Sequence, residues 1–365
     1  MLEYFYKMCE AEIKEGLNVV IEEFGEGCSQ KGRRLFLKRL EKKPIFDIID
    51  LRVNKAILFR RLAMIRSVAF VGIGAVGAIY AQRAARYTQV PCAAIVQDAS
   101  SYRNNPVFVN DERLDMPLLT ATDSHAPFDL MIVAVKWHAF EAMMEQMALF
   151  VGRGTVILSL LNGIQSEKRL MERFPEAHVI PALCSGVDSN RSGRKVHMNR
   201  IGEIVFGELD GQTSDAVRDV EKYFRAVQIP CCVSNEIERA LWWKLMVNVG
   251  MNQVSSVMNL TYGEFRQNDE AMARMHRAQC EVIAVAQASG VPMTKADIAR
   301  WDRQLASLSP GGFSSTLQDI RARRKTEVEL YGEEICRLGR ELGVPTPENQ
   351  ALAEEIRRIE LTYLP

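Results

Sequence analysis

The stretch SVAFVGIGAVGAIYAQRAARY, residues 67–87, decides the fold. Val68–Val71 is a short apolar run of the kind found in strands covered on both faces, and residues 78–87 have helical spacing. Between them Gly72, Gly74 and Gly77 stand in the order G-x-G-x-x-G. In that pattern the first glycine makes a tight turn, the second lets a pyrophosphate approach the backbone, and the third lets helix and strand pack closely. Ile73, Ala75 and Val76 complete the loop, and the helix start offers free amides and the positive end of its dipole to phosphate. A purely structural glycine turn would use the same residues. The strand before and the helix after are the context that dinucleotide binding requires.

Working outward, short apolar runs alternate with helical spacing. Residues 93–96, 130–135, 155–160, 179–182 and 203–207 read as strands, and 138–150 as a helix. Such alternation predicts a doubly wound parallel sheet, a Rossmann-type α/β domain over 65–233. From 236 the pattern becomes helical, with expected helices at 236–257, 269–289, 295–306, 314–342 and 348–361. Gly-Val-Pro at 290–292 and 343–345 marks the breaks. The second domain, 236–365, is therefore expected to be all-helical. Residues 1–64 are acidic first and basic later, with no motif. They read either as an appended helical arm or as upstream sequence that adds little to function.

Composition narrows the function classes. The 365 residues carry no formal net charge, which gives no electrostatic case for nucleic acid or an anionic membrane. The eight cysteines are scattered without C-x-x-C, as expected of reduced thiols in a cytoplasmic protein, and the five histidines show no metal-ligand spacing. The N-terminus has no secretory pattern, and neither 67–82 nor 245–263 reads as a membrane span.

Several residues are candidates for chemistry. Asp98, at the end of the second strand, suits the ribose 2′-hydroxyl of NAD, whereas the nearby Arg103 suits the 2′-phosphate of NADP. Asp98 could equally be a polar strand end. Lys136 and Asn162 follow two strands of the sheet and should face the crevice at its carboxyl edge. Their plain alternatives are a solvated lysine and an Asn-Gly turn. Lys244, Asn248 and Asn252 repeat every four residues in an apolar run, so an α-helix puts them on one narrow face. Buried there without partners they would cost about 1–3 kcal/mol each, so a polar network, a snorkelling lysine or a ligand must meet them. Ser315 and Glu327 are twelve residues apart, about 18 Å on a continuous helix, and could reach opposite ends of one crevice. Spacing alone does not separate Glu327 from Glu329.

With these pieces in view the chain from about residue 64 onward resembles the ketopantoate reductase (2-dehydropantoate 2-reductase) family. The matching segments are GIGAVG at 72–77, AVK at 134–136, LLNG at 160–163, RALWWKLMVNVGMNQ at 239–253, SSTLQD at 314–319, RKTEVE at 324–329 and GVPTPEN at 343–349. The resemblance implies a helical domain like the C-terminal part of 6-phosphogluconate dehydrogenase and an active site between the two domains. It implies NADPH as cofactor, with NADH open because of Asp98. It implies Lys244 as the proton donor to a 2-oxo acid with Glu327 beside it, and substrate contacts from Asn248, Asn252, Ser315 and Asn162. Lys136, Asn162 and Glu327 would border the cofactor, and a homodimer is a family-level expectation. Thr316, where the family often has Met, and Gln97-Asp98 depart from the pattern. Those departures keep in play a reductase of another small 2-oxo acid; a non-catalytic dinucleotide sensor is a third reading, supported by the N-terminal extension alone and opposed by the intact Lys244 and Glu327.

Overall fold

The computed structural model describes residues 65–364 of the chain, and the expected extension 1–64 lies outside them. The first part runs β1 (Val68–Val71), α1 (Ala75–Tyr87), β2 (Cys92–Ile95), α2 (Ala99–Asn104), β3 (Phe108–Val109), β4 (Glu112–Arg113) and β5 (Leu118–Leu119). It continues through β6 (Leu130–Val133), α3 (Trp137–Met147), β7 (Val156–Ser159), α4 (Ser166–Arg173), β8 (His178–Ile180) and β9 (Ala182–Ser185). Then come β10 (Asp188–Ser192), β11 (Lys195–Arg200), β12 (Glu203–Phe206), α5 (Asp215–Ala226) and β13 (Cys231–Val233).

Six strands form one sheet in the order β5-β2-β1-β6-β7-β8, and every pairing in it is parallel. The apolar runs explain this. Phe70, Ile132 and Leu158 point into one core, while Val71, Val133 and Ile157 point into another with Phe140 and Phe150. Both faces are covered, and each large side chain removed from water contributes about 1.5–3 kcal/mol. The chain builds outward from β1 to β2 and β5, then returns to β6 on the other flank. That reversal opens a crevice at the carboxyl ends of β1 and β6, where ligands of such sheets bind.

Two small sheets stand apart from the expected single one, and the strand expected over 203–207 is β12 of one of them. One has the order β10-β11-β3-β4 and the other β13-β12-β9. The run expected as one strand over 179–182 is divided at Pro181, with β8 in the large sheet and β9 in a small one. Proline has no amide to continue the ladder, so the chain changes sheets there.

The second part contains α6 (Ile237–Val247), α7 (Gln253–Val257), α8 (Tyr262–Arg266), α9 (Asp269–Ala288), α10 (Lys295–Ala306), α11 (Ser315–Arg321), α12 (Gly332–Leu342) and α13 (Pro347–Glu360). Its core gathers Trp242, Met246, Val249, Met275, Val282, Trp301 and Leu352. Two expectations need correction. The continuous helix over 236–257 is interrupted by a π-helical turn at Asn248–Asn252. The single helix over 314–342 does not exist: α11 stops at Arg321, Arg323 takes φ +52°, and a 3₁₀ turn at Val328–Leu330 precedes α12. The Arg324 amide folds back onto the Asp319 carbonyl at 2.8 Å, while that of Arg323 bonds Ile320 at 2.9 Å. These are the paired bonds of a Schellman ending, here with arginine where glycine is usual. No helix among the described residues is long and apolar enough to cross a membrane.

Candidate functional site

The glycine loop fits a dinucleotide. Gly72 has φ +85°, and a side chain there would meet Val135 Cγ1 at 2.3 Å. A methyl on Gly77 would lie 2.1 Å from the Gly72 carbonyl oxygen, so that position admits only glycine. A methyl on Gly74 would make only ordinary contacts, with Arg191 Nη1 at 3.7 Å and the Ala134 carbonyl oxygen at 3.9 Å. No side chain caps α1, which leaves its first amides for a phosphate. Arg191 Nη1 also donates to the Ile73 carbonyl at 3.4 Å, setting a guanidinium above the loop.

Asp98 is the N-cap of α2. Its Oδ1 accepts from the Ser100 amide at 2.9 Å, the Ser100 hydroxyl at 2.5 Å and the Ser101 amide at 3.2 Å. The Ser100 hydroxyl, the Ser101 amide and other nearby donors hold its carboxyl below the usual range. Beside it, Arg194 donates to Ser101 Oγ at 2.7 Å and stacks 3.5 Å over the Tyr102 ring. Arg191 and Arg194 escaped the sequence reading because they lie on the exposed, polar hairpin β10–β11. Its inward face offers only Val196 and Met198 among polar residues, too little apolar alternation to reveal two strands.

Lys136 and Asn162 do face one crevice. Lys136 Nζ lies 2.9 Å from Asp319 Oδ2 and 3.2 Å from Glu327 Oε2, and Asn162 Nδ2 donates to the same Glu327 oxygen at 3.0 Å. Burial would pull the Lys136 amine down, but the Glu327 and Asp319 carboxylates outweigh it and hold it above its ordinary value. The side chain keeps 44% of its surface exposed, so solvent screens these pairs. Gly163, with φ +88°, brings Asn162 onto the Leu330 segment, where a methyl would touch Leu330 at 3.3 Å. Asp319, buried and bridged to Arg324 at 2.9 Å, was missed by the sequence reading. Glu329, which spacing did not separate from Glu327, instead pairs with Lys325 and Arg357.

Lys244, Asn248 and Asn252 share a face, and the π turn improves their alignment. Each four-residue α step drifts about 40°, whereas a wider π turn lets the second step fall nearly in line. The turn is pressed against α9, since a methyl on Gly250 would lie 2.7 Å from Gln279 Cγ. Asn252 is 8% exposed and donates to Asn248 at 3.4 Å and to Ser315 Oγ at 3.5 Å. These are long bonds, weak enough for a ligand to replace. Ser315 therefore meets the stripe at one end of the crevice and Glu327 meets Lys136 and Asn162 at the other.

Lys244 has no hydrogen-bond partner among the described residues. Burial lowers its amine below the usual lysine value, opposed by the carboxylates of Glu327 and Glu167 and by the Cys184 sulfur when it ionises. Its side chain is half-buried, so some of its surface remains accessible. Tyr331, fully buried, turns its hydroxyl toward Asn162 and Asn252 without a well-formed bond to either. An amine that gives up a proton readily, two amides and a hydroxyl can together bind a small oxo acid and protonate its carbonyl oxygen. Among the described residues no group of acids, cysteines and histidines could hold a metal.

Comparison with known proteins identifies the family. Residues 68–211 match the family described as "Ketopantoate reductase PanE/ApbA", and residues 236–360 match "Ketopantoate reductase PanE/ApbA C terminal". A 2-dehydropantoate 2-reductase of Aquifex aeolicus is 24% identical over 315 residues, 82% of this chain and 99% of its own. The crystal structure of a PanE/ApbA family ketopantoate reductase from Ralstonia eutropha JMP134 superposes with a TM-score of 0.71 at 27% identity, covering 81% of this chain and 99% of its own. A D-mandelate dehydrogenase held with NADH and anilino(oxo)acetate has the same fold, with a TM-score of 0.73, 20% identity, and 81% and 99% coverage. Both halves are matched in order on either side of the crevice, and the chain belongs to the ketopantoate reductase family of oxidoreductases.

Proposed function

We propose that the protein reduces 2-dehydropantoate (ketopantoate) to (R)-pantoate with NADPH, in the cytoplasm, and that Lys244 is its general acid. The observation that carries this reading is the unpartnered amine of Lys244, within electrostatic reach of Glu327 and on the helix face that carries Asn248 and Asn252. When bound, the reduced nicotinamide supplies a hydride to the carbonyl carbon. Lys244 gives the oxygen its proton, which general acids convert into rate accelerations of about 10²–10⁴. Asn248, Asn252 and Ser315 hold the substrate hydroxyl and carboxylate. Lys136, fixed as a cation by Asp319 and Glu327, and Asn162 border the cofactor. Glu327 buttresses Lys136 and Asn162 while adding negative charge near Lys244.

NADPH is favoured over NADH by the arginines. Asp98 already spends one oxygen capping α2, while Arg191 and Arg194 put positive charge beside the glycine loop and α2. A 2′-phosphate suits that surround better than a bare ribose hydroxyl does. A homodimer remains the assembly expected from the family resemblance.

The second reading is a reductase of a different 2-oxo acid. Thr316, buried at 2% exposure next to Ser315, alters the wall where the family often has Met, and the D-mandelate dehydrogenase likeness shows the scaffold with an aromatic ligand. The experiment follows NADPH and NADH oxidation with ketopantoate, pyruvate, 2-oxoisovalerate and phenylglyoxylate. Turnover with ketopantoate at least tenfold above the others is expected. Preference for phenylglyoxylate moves the assignment to the second reading, and binding of cofactor without turnover of any acid refutes both.

A further inference from the structure

Glu167 is a buried acid that the proposed reaction does not use. It sits in the first turn of α4, immediately after the loop that carries Asn162, and is 6% exposed. Oε2 accepts from the Ser166 hydroxyl at 3.0 Å, and Ser166 is itself linked to Ser159 at 2.8 Å. Oε1 is enclosed and has no hydrogen-bond partner. Lys244 lies within electrostatic reach, and its own amine lacks a partner as well. Ile164, three residues before Glu167, packs against the cluster of Leu183, Ile237 and Leu241, the last one turn before Lys244, which brings the two segments together.

An orphan buried carboxylate oxygen costs about 1–3 kcal/mol or more, so its presence beside an orphan amine calls for an explanation. We propose that Glu167 is a positioning residue for Lys244, a second carboxylate besides Glu327 that keeps the amine charged until its proton is transferred. This rests on the reading of Lys244 as general acid. The charged and titratable groups facing Lys244 are Glu167 from α4, Cys184 from β9 and Glu327 before the 3₁₀ turn. The Cys184 thiol is pushed up by burial and bonded to the Tyr80 hydroxyl at 3.7 Å, so it stays neutral near pH 7. Glu327 divides its charge with Lys136. That leaves Glu167 as the group whose ionisation falls where the enzyme works, since burial pushes it up to about 7. Below that pH the carboxyl is neutral, and above it the carboxylate holds the lysine proton in place. After turnover the neutral Lys244 amine regains its proton from water, and the Glu167 carboxylate favours the ammonium so formed.

The test titrates Lys244 directly. The full chain is treated with a small amine-acylating reagent over pH 5.5–9.5, and the Lys244 peptide is quantified by mass spectrometry. A nearby opposite charge raises an amine by about 1–3 pH units, so Glu167→Gln should make Lys244 label about tenfold faster at pH 7.5. Turnover of the variant should lose its alkaline limb about one pH unit early, with activity at pH 6 and both KM values within about twofold of the parent. Ser166→Ala strips the hydroxyl from Oε2, weakens ionisation of Glu167 and should shift labelling in the same direction. It carries the test if Glu167→Gln does not fold. Labelling rates that agree within twofold across the pH range overturn the proposal. The labelling needs no substrate, so it separates failure of this coupling from failure of the assigned reaction.

Discussion

Lys244→Met separates catalysis from stability at one position. The methionine keeps the apolar stem and removes an amine that has no hydrogen-bond partner among the described residues. An unsatisfied buried polar group costs about 1–3 kcal/mol, so the variant should be more stable by roughly that amount. For a domain of this size each kcal/mol moves the melting point by about 2 °C. The pH dependence identifies the cause. Burial lowers the Lys244 amine, so the folded state binds fewer protons than the unfolded one between that lowered value and the ordinary 10.5. The penalty is therefore complete at low pH and fades as pH rises toward 10.5. Stabilisation by Lys244→Met should be largest near pH 6 and shrink by pH 9.5, whereas a purely apolar gain would be flat. The assay is thermal and urea unfolding across pH, with turnover measured on the same samples. Turnover should fall by about 10²-fold or more, as loss of a general acid requires. A variant that is both less stable and nearly as active would refute the reasoning, because Lys244 would then be a structural ion-pair member.

Three further outcomes follow from the geometry. Gly74→Ala should fold as well as the parent but bind the dinucleotide at least about tenfold more weakly, whereas Gly77→Ala should lose about 1–3 kcal/mol of stability from overpacking against the Gly72 carbonyl; comparing unfolding and cofactor titration of the two variants checks both. Tyr331→Phe removes a hydroxyl that has no well-formed partner, so stability by urea unfolding should stay level or rise by about 1 kcal/mol, and a loss larger than that would mean the hydroxyl is bonded. Glu167→Gln should gain stability over the parent as pH climbs from 4.5 to about 7, by about 3 kcal/mol in full, because the parent must ionise a buried acid over that window; equal unfolding curves at pH 5 and pH 8 would contradict it.

Much of the fold could be read because it rests on local periodicity. The parallel sheet follows from four-residue apolar runs, and the crevice from Gly72, Lys136 and Asn162 at successive strand ends. What escaped was set by contacts distant in sequence or by conformations without a residue signature. The π turn is a case in point: Gly250 within Asn248–Asn252 weakens an α-helix but does not specify a π turn. Its shape is supported by the distant α9 and by the Gln253 side chain, which donates to the Val249 carbonyl at 3.0 Å. The break after α11 was hidden because Arg323, not glycine, takes the left-handed conformation. That break carries Glu327 back to Lys136, which a straight helix from Ser315 would have forbidden. Glu167 and Asp319 looked like ordinary helix acids, and only the tertiary fold turns them inward.

The two lysines of the crevice show how one fold assigns opposite roles to the same side chain. Lys136 is more exposed, yet it meets two carboxylates within 3.2 Å and its amine is held above the ordinary value. Lys244 is more enclosed and has no direct partner, and its amine is held below. A lysine of the first kind remains a cation at every working pH and suits an anionic ligand. One of the second kind can release its proton at modest cost. Burial of Lys244, with Glu327 placed against Lys136 rather than against Lys244, pushes the two apart, and groups whose environments separate their ionisation in this way mark acid–base sites. Moving that carboxylate onto Lys244 would strengthen the ion pair and weaken the acid. The missing hydrogen bond at Lys244 is therefore better understood as a requirement of proton transfer than as a defect of packing.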